Sequence, residues 1–204
     1  MMRVIFMART TQAEKQETHA RIVRAAAAAI RKDGYDGASV AAIMEAAGLT
    51  HGGFYAHFAS RDAMLAEAMD HAAGESLDRL GKVSDDAAPA EALDAVVTSY
   101  LSDRHVAAPE AGCTIAALGS ETRRQTPEVR RIATRRAKEL ADLIARQLPG
   151  WSKGAGHDEA LGVMSAMVGA LVIARLVDDP ELGAAVRASA ARLIHAGTRA
   201  RKKT

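Results

Sequence analysis

The sequence has a single cysteine, five prolines and only 3% aromatic residues in 204. With Cys113 alone, no internal disulfide can form, which fits a reducing cytoplasm and a cytoplasmic protein. Few aromatics and no alternating apolar run argue against a β-sandwich or barrel. No apolar run reads as a membrane span, and "MMRVIFMARTTQ" is too short in apolar residues for a signal peptide. Met7 opens "MARTTQ", which reads as a natural start, with six residues upstream as an extension. The histidines at 19, 51, 57, 71, 105, 157 and 195 lack metal-ligand spacing. There is no nucleophile elbow and no phosphate-binding glycine loop. The expectation is therefore no metal, no cofactor and no enzyme. Charge of one sign is missing too, at a net +2. Its distribution is slightly uneven, since residues 1–61 hold eight Lys and Arg against five Asp and Glu.

What the sequence does have is alanine. Hydrophobic residues make up 49% of the chain, and alanine is the strongest helix former. The reading is all-α, about nine helices in two domains. A first helix covers residues 11–33, with Ile22, Ala25, Ala26, Ala29 and Ile30 on one face and Gly34 at its stop. Ser39 caps a short helix that Gly48 breaks. Thr50 caps the next one, over 50–58, and Ser60 a fourth, over 61–80. Residues 81–89 read as a loop, followed by a helix over 90–106 and a shorter one near 112–124. Pro127 fits the first turn of a helix reaching Leu148. The last two helices are placed at 157–177 and 180–200, after a break at 149–156.

The stretch "AGLTHGGFYAHFASRD" is unusual for a buried helix, because each glycine costs a helix roughly 1 kcal/mol relative to alanine. Two short helices joined by a glycine turn and braced by a longer one make a helix-turn-helix, here over 39–58. Laid in a major groove, the second helix needs little bulk where its backbone meets DNA. Gly52 and Gly53 supply that. Thr50 is both a cap and a phosphate donor, at a helix N-terminus that favours anions. Tyr55 and His57 reach phosphates through a hydroxyl and an imidazole N–H, and Arg61 adds a cation. Phe54 and Phe58 face inward.

Residues 17–70 resemble the DNA-binding domain of the TetR family of bacterial transcription regulators. The pieces "GYDGASVAAI", "AAGLTHGGFYAHF" and "SRDAML" carry the resemblance. It implies that Ser39 anchors the supporting helix to a phosphate and that Thr50, His51, Gly52 and Gly53 meet the groove. Tyr55, His57 and Arg61 would contact phosphates, and Thr18 the backbone. Arg9, in an N-terminal arm over 1–11, is a further candidate for the minor groove, against a merely solvated residue. His51 stands where many members have lysine, Ala56 where many have an aromatic, and Ile30 where phenylalanine is common. Those departures imply fewer cationic contacts.

The implied arrangement is a helix-turn-helix domain over 12–60 and an effector-binding and dimerisation domain over 61–204. Its implied partners are a double-stranded operator, a second copy of the chain and an unidentified small-molecule effector, with no membrane. Few aromatics follow Phe58, only Tyr100 and Trp151, which disfavours stacking of flat cationic ligands. The dimer face falls on the last two helices, through Gly162, Ala166, Gly169, Ala170 and Ile173, and through Leu182, Val186, Ser189 and Leu193. The expected function is a homodimeric, ligand-responsive repressor. An activator of the same fold is the alternative. So is a redox or electrophile sensor through Cys113, if Gly112 starts a helix and puts the thiol in its first turn. Against the sensor stands a small buried hydrophobe.

Overall fold

The computed structural model describes residues 11–148 and 156–201. Arg9 and Trp151 lie outside the described residues. Nine α-helices are found among them, with no strand. They are α1 (Gln12–Gly37), α2 (Val40–Ala46), α3 (Arg61–Asp85), α4 (Ala92–Tyr100), α5 (Asp103–Ala107), α6 (Thr114–Thr122), α7 (Pro127–Ala145), α8 (His157–Leu176) and α9 (Pro180–Arg201). Short 3-10 helices cover His51–Ala56 and Pro109–Ala111.

Local chemistry sets most boundaries. Thr11 and Glu14 form a capping box that opens α1, each side chain bonding the other's backbone N–H. Ser39 Oγ accepts from Ala42 N–H, Ser60 Oγ from Ala63 N–H, and Pro127 begins α7 behind the Thr126 cap. Gly48, at φ +71°, closes α2: its N–H donates to Glu45 O and that of Leu49 to Met44 O, both at 2.8 Å. This is a Schellman stop, which favours glycine because a Cβ is strained at that φ.

Several expected boundaries differ. The stop expected after Asp33 is present as a kink, and the chain adds a further turn beyond it. Gly34 interrupts α1 with φ 76° and ψ 175°, and helical turns resume to Gly37. The loop expected at 81–89 begins only after Asp85, because Leu80 and Ser84 are buried and hold that face of α3. The helix expected over 90–106 splits at Leu101, since Ser102 starts α5 by accepting from His105 N–H. Sequence reading found no long apolar span, yet α8 is apolar enough by length and composition to cross a membrane, with mean hydropathy 1.7. Its apolarity has two destinations. One side joins the core through Val163, Met167 and Leu171, and another is left exposed.

Two cores result. Ile22, Ile30, Tyr35, Ile43, Met44, Phe54, Phe58 and the first half of α3 form one, closed by Leu118 and Val129. The end of α3, with α4 and α7 to α9, forms the other. Helix α3 is common to both, so the small N-terminal unit is welded to the larger bundle. Each large apolar side chain buried here contributes about 1.5–3 kcal/mol.

Candidate nucleic-acid interface

The segment after Gly48 is a 3-10 helix over His51–Ala56, shorter than the helix expected over 50–58. Paired glycines stabilise an α-helix poorly, and the tighter coil is used in such short pieces. Thr50 stands at the N-cap position, but its side chain makes no cap hydrogen bond. Phe54 is 1% exposed and stacks on Phe58 with ring centroids 5.6 Å apart. That contact pins the segment onto α2 and α3. Tyr55, the next residue, is 75% exposed. Among the described residues it is the one exposed large hydrophobic outside α8 and α9.

The glycines are informative for what they lack. A Cβ on Gly52 would find no atom within 4 Å, and one on Gly53 would make only an ordinary 3.7 Å contact with the Met44 methyl. Neither has a positive φ. Nothing inside the chain requires glycine at either position.

Around this segment the polar groups divide. Ser39, Thr50 and His51 are exposed, and Thr18 is half-buried. Ser39 Oγ is used as an acceptor by its cap, but its O–H remains a donor. His57 is half-buried, its Nδ1 has no partner, and its ring centroid lies 6.2 Å from that of His19. Burial first, then His19 and Lys15, hold the His57 pKa below the ordinary histidine value. It is a neutral donor rather than a cation near pH 7. His19 in turn stacks on Phe58 and meets Glu67 at 2.6 Å.

Arg61 is placed differently from the free phosphate contact that its position implied. Its guanidinium donates to the carbonyls of Tyr35 and Ala38, clamping the α1–α2 connection onto α3. A guanidinium in the first turn of α3 sits beside carbonyls that have left the helix ladder at Gly34. Sequence reasoning also missed Arg31. It is buried, donates to Ala72 O at 3.1 Å and pairs with Glu75 at 2.9 Å.

A second missed contact joins the two halves. Tyr35 N–H donates to Glu121 Oε2 at 3.0 Å, and the Tyr35 hydroxyl lies 3.3 Å from Thr122 Oγ1. These partners end α6. The other end of α6 meets His105, whose Nε2 accepts from Cys113 N–H at 2.9 Å while Nδ1–H donates to Tyr100 O at 2.6 Å. The Nε2 acceptor bond needs a neutral ring, and burial pushes the His105 pKa down to about 4 although the Nδ1–H bond to Tyr100 opposes the shift. Cys113 is the N-cap of α6, so the helix starts at Thr114 and the thiol stands outside the first turn. It is buried, with the Tyr100 ring nearby.

The expected dimer face is mixed. Ile173, Leu182 and Leu193 are exposed, with Leu161, Val172 and Leu176 beside them in the same two helices. Gly162 and Ser189 are exposed, and Gly169 is half-buried. Ala170 instead belongs to the chain's own core, and Ala166 and Val186 pack against it. The reason is the α8–α9 contact, which takes up one side of each helix.

Residues 22–68 match the family model described as bacterial regulatory proteins, tetR family. The fold is similar to a TetR transcriptional regulator from Chloroflexus aurantiacus J-10-FL. The two are 25% identical with a TM-score of 0.76, over 90% of this chain and 97% of that one. A TetR-family regulator from Agrobacterium tumefaciens is 21% identical, with a TM-score of 0.74 over 88% of this chain and 98% of that one. The reduced form of NemR from E. coli shares the fold at 15% identity, with a TM-score of 0.70 over 85% and 95%. None of the curated proteins matches the sequence.

Proposed function

Since residues 22–68 place this chain in the TetR family of transcriptional regulators and the remainder keeps that family's fold, we propose that it is a homodimeric repressor. It binds a palindromic operator through residues 12–60 and is released when a small molecule binds within residues 61–204. The observation that carries this reading is the pair of glycines beside an exposed Tyr55. The fold has no use for bare backbone at Gly52, whereas a duplex groove does. Thr50, His51, Gly52 and Gly53 are assigned to the groove. Ser39, Tyr55 and His57 are assigned to phosphates, with Thr18 at the edge. Arg61 is assigned both a supporting and a phosphate role, because only its Nη2 is committed to Tyr35 and Ala38.

Dimerisation through α8 and α9 is supported by Leu176 and Leu193, 79% and 69% exposed, with Leu161, Val172, Ile173 and Leu182 exposed beside them in the same two helices. Two copies would present two recognition segments to half-sites roughly 34–36 Å apart. Release is differential affinity: an effector that prefers one bundle geometry shifts the population away from the DNA-binding one. Helix α6 is suited to link them, fixed at one end to His105 and at the other to Tyr35. Burial of Cys113 supports a packing role in this pathway over oxidant sensing, which needs an accessible thiolate.

The test is anisotropy of labelled palindromic fragments from the region upstream of the gene. Tight, salt-sensitive binding is expected, and Tyr55→Ala should weaken it for every duplex. Equal binding to operator candidates and random duplex would overturn the proposal. Transcript levels with and without the gene separate repressor from activator.

A further inference from the structure

We infer that the open cavity lined by α3, α4, α5 and the following segment at Ala108 and Ala111 binds a small organic acid, apolar end first, with its oxyanion held at the mouth. The inference rests on reading this half of the chain as the effector-sensing half. The cavity holds about 310 Å³, at the lower end of the size of small-molecule sites. Its fully charged lining residues are Arg79, Lys82 and Arg104, and no carboxylate lines it. All three are exposed, whereas Leu80 and Tyr100 are buried, so charge sits outside and apolar surface inside.

The cations are not neutralised by the chain. The side chains of Lys82 and Arg104 have no hydrogen bond or ion pair among the described residues, and that of Arg79 donates only to the Ala111 carbonyl. Glu75, one turn before Arg79 on α3, is held by Arg31 at 2.9 Å and lies 3.4 Å from His71. Asp103, beside Arg104 in sequence, is paired with Arg187. Burial first, then Arg31, lower the pKa of Arg79; Glu75 opposes the shift in part and Arg104 adds to it. An anion at the mouth would relieve that crowding. The His105 ring adds no charge, because both nitrogens are committed to backbone. Tyr100 is buried in the wall with its hydroxyl against the Cys113 thiol, so it contributes apolar ring surface rather than a free polar group. Guanidinium groups favour planar oxyanions, which they can grip through two N–H donors.

The site also meets the switch. His105 lines the cavity and accepts from Cys113 N–H at the start of α6. A ligand that moves α5 therefore pulls on the helix that carries Glu121 to Tyr35.

The experiment is isothermal titration of the full chain, without DNA, using benzoate, hexanoate and octanoate. Benzamide, hexanamide and octanamide serve as neutral counterparts, and inorganic phosphate as a bare oxyanion. Carboxylates should bind, amides roughly tenfold or more weakly, and phosphate not measurably, since it cannot fill the apolar interior. Arg104→Gln and Lys82→Gln, both at exposed positions, should each weaken the carboxylates several-fold, and added NaCl should do the same. Amides binding as tightly as acids would overturn the inference. So would no carboxylate binding at millimolar concentration, or unchanged binding when Arg104→Gln and Lys82→Gln are combined in one chain. Operator binding that persists alongside any of these results leaves the regulator reading intact. Acid binding by a chain with no operator preference would instead sink that reading alone.

Discussion

A methyl group added at residue 52 would enter open space, with no atom of the chain within 4 Å of it. Gly52→Ala should therefore stabilise the free protein. The unfolded chain loses conformational freedom and nothing in the fold has to move, a gain of about 0.4–1 kcal/mol. On DNA the same methyl falls where the recognition segment comes closest to the duplex. Forcing a methyl into a packed contact costs about 1–3 kcal/mol. A dimer carries two such positions, so the operator complex should lose at least about 2 kcal/mol, or roughly 30-fold in affinity. Urea unfolding and anisotropy on the same sample read the two effects, which should have opposite signs. A Gly52→Ala protein that binds operator as tightly as wild type would refute the argument that bare backbone at Gly52 serves the groove. Destabilisation would refute the claim that the fold leaves this position free.

At Gly34 the expectation reverses. Its φ of 76° with ψ 175° is a glycine conformation, and a Cβ would stand 2.7 Å from Glu121 Oε2, the acceptor of Tyr35 N–H. Gly34→Ala should cost about 2–4 kcal/mol in urea unfolding, and a loss below about 0.5 kcal/mol would contradict the strain argument. Leu176→Glu combined with Leu193→Glu should give a folded monomer by sedimentation, while a persisting dimer would exclude the α8–α9 face. His105 is held neutral with its pKa pushed down to about 4, below the ordinary 6.5 of the unfolded chain. Its contribution is therefore complete above pH 6.5 and lost as pH falls toward 4. The stability advantage of wild type over His105→Gln should shrink by up to about 3 kcal/mol across that window. A constant difference would show that the bond Nε2 accepts from Cys113 N–H does not set the ring's protonation.

Much of the helix pattern was legible in the sequence because its signals are local. Ser39, Ser60 and Pro127 act within one helical turn of themselves, and the stops at Gly34 and Gly48 need only backbone φ. The apolar period places Ile22, Ile30 and Phe54 inward whatever lies opposite. The order and helical class of the elements follow from such signals, and so does the outward place of Tyr55 between two inward phenylalanines. Only tertiary structure decided that residues 51–56 coil as a 3-10 helix, that Arg61 Nη2 is spent on Tyr35 and Ala38, and that Arg31 is buried against Glu75. It also decided which side of the uniformly apolar α8 meets the core, so that Ala170 turns inward and Leu176 outward. Tyr35 and Glu121 stand 86 residues apart, and no periodic pattern links them. A cap or a helix stop is fixed by atoms a few residues away. A guanidinium or an apolar face takes its partner only when distant elements have become neighbours.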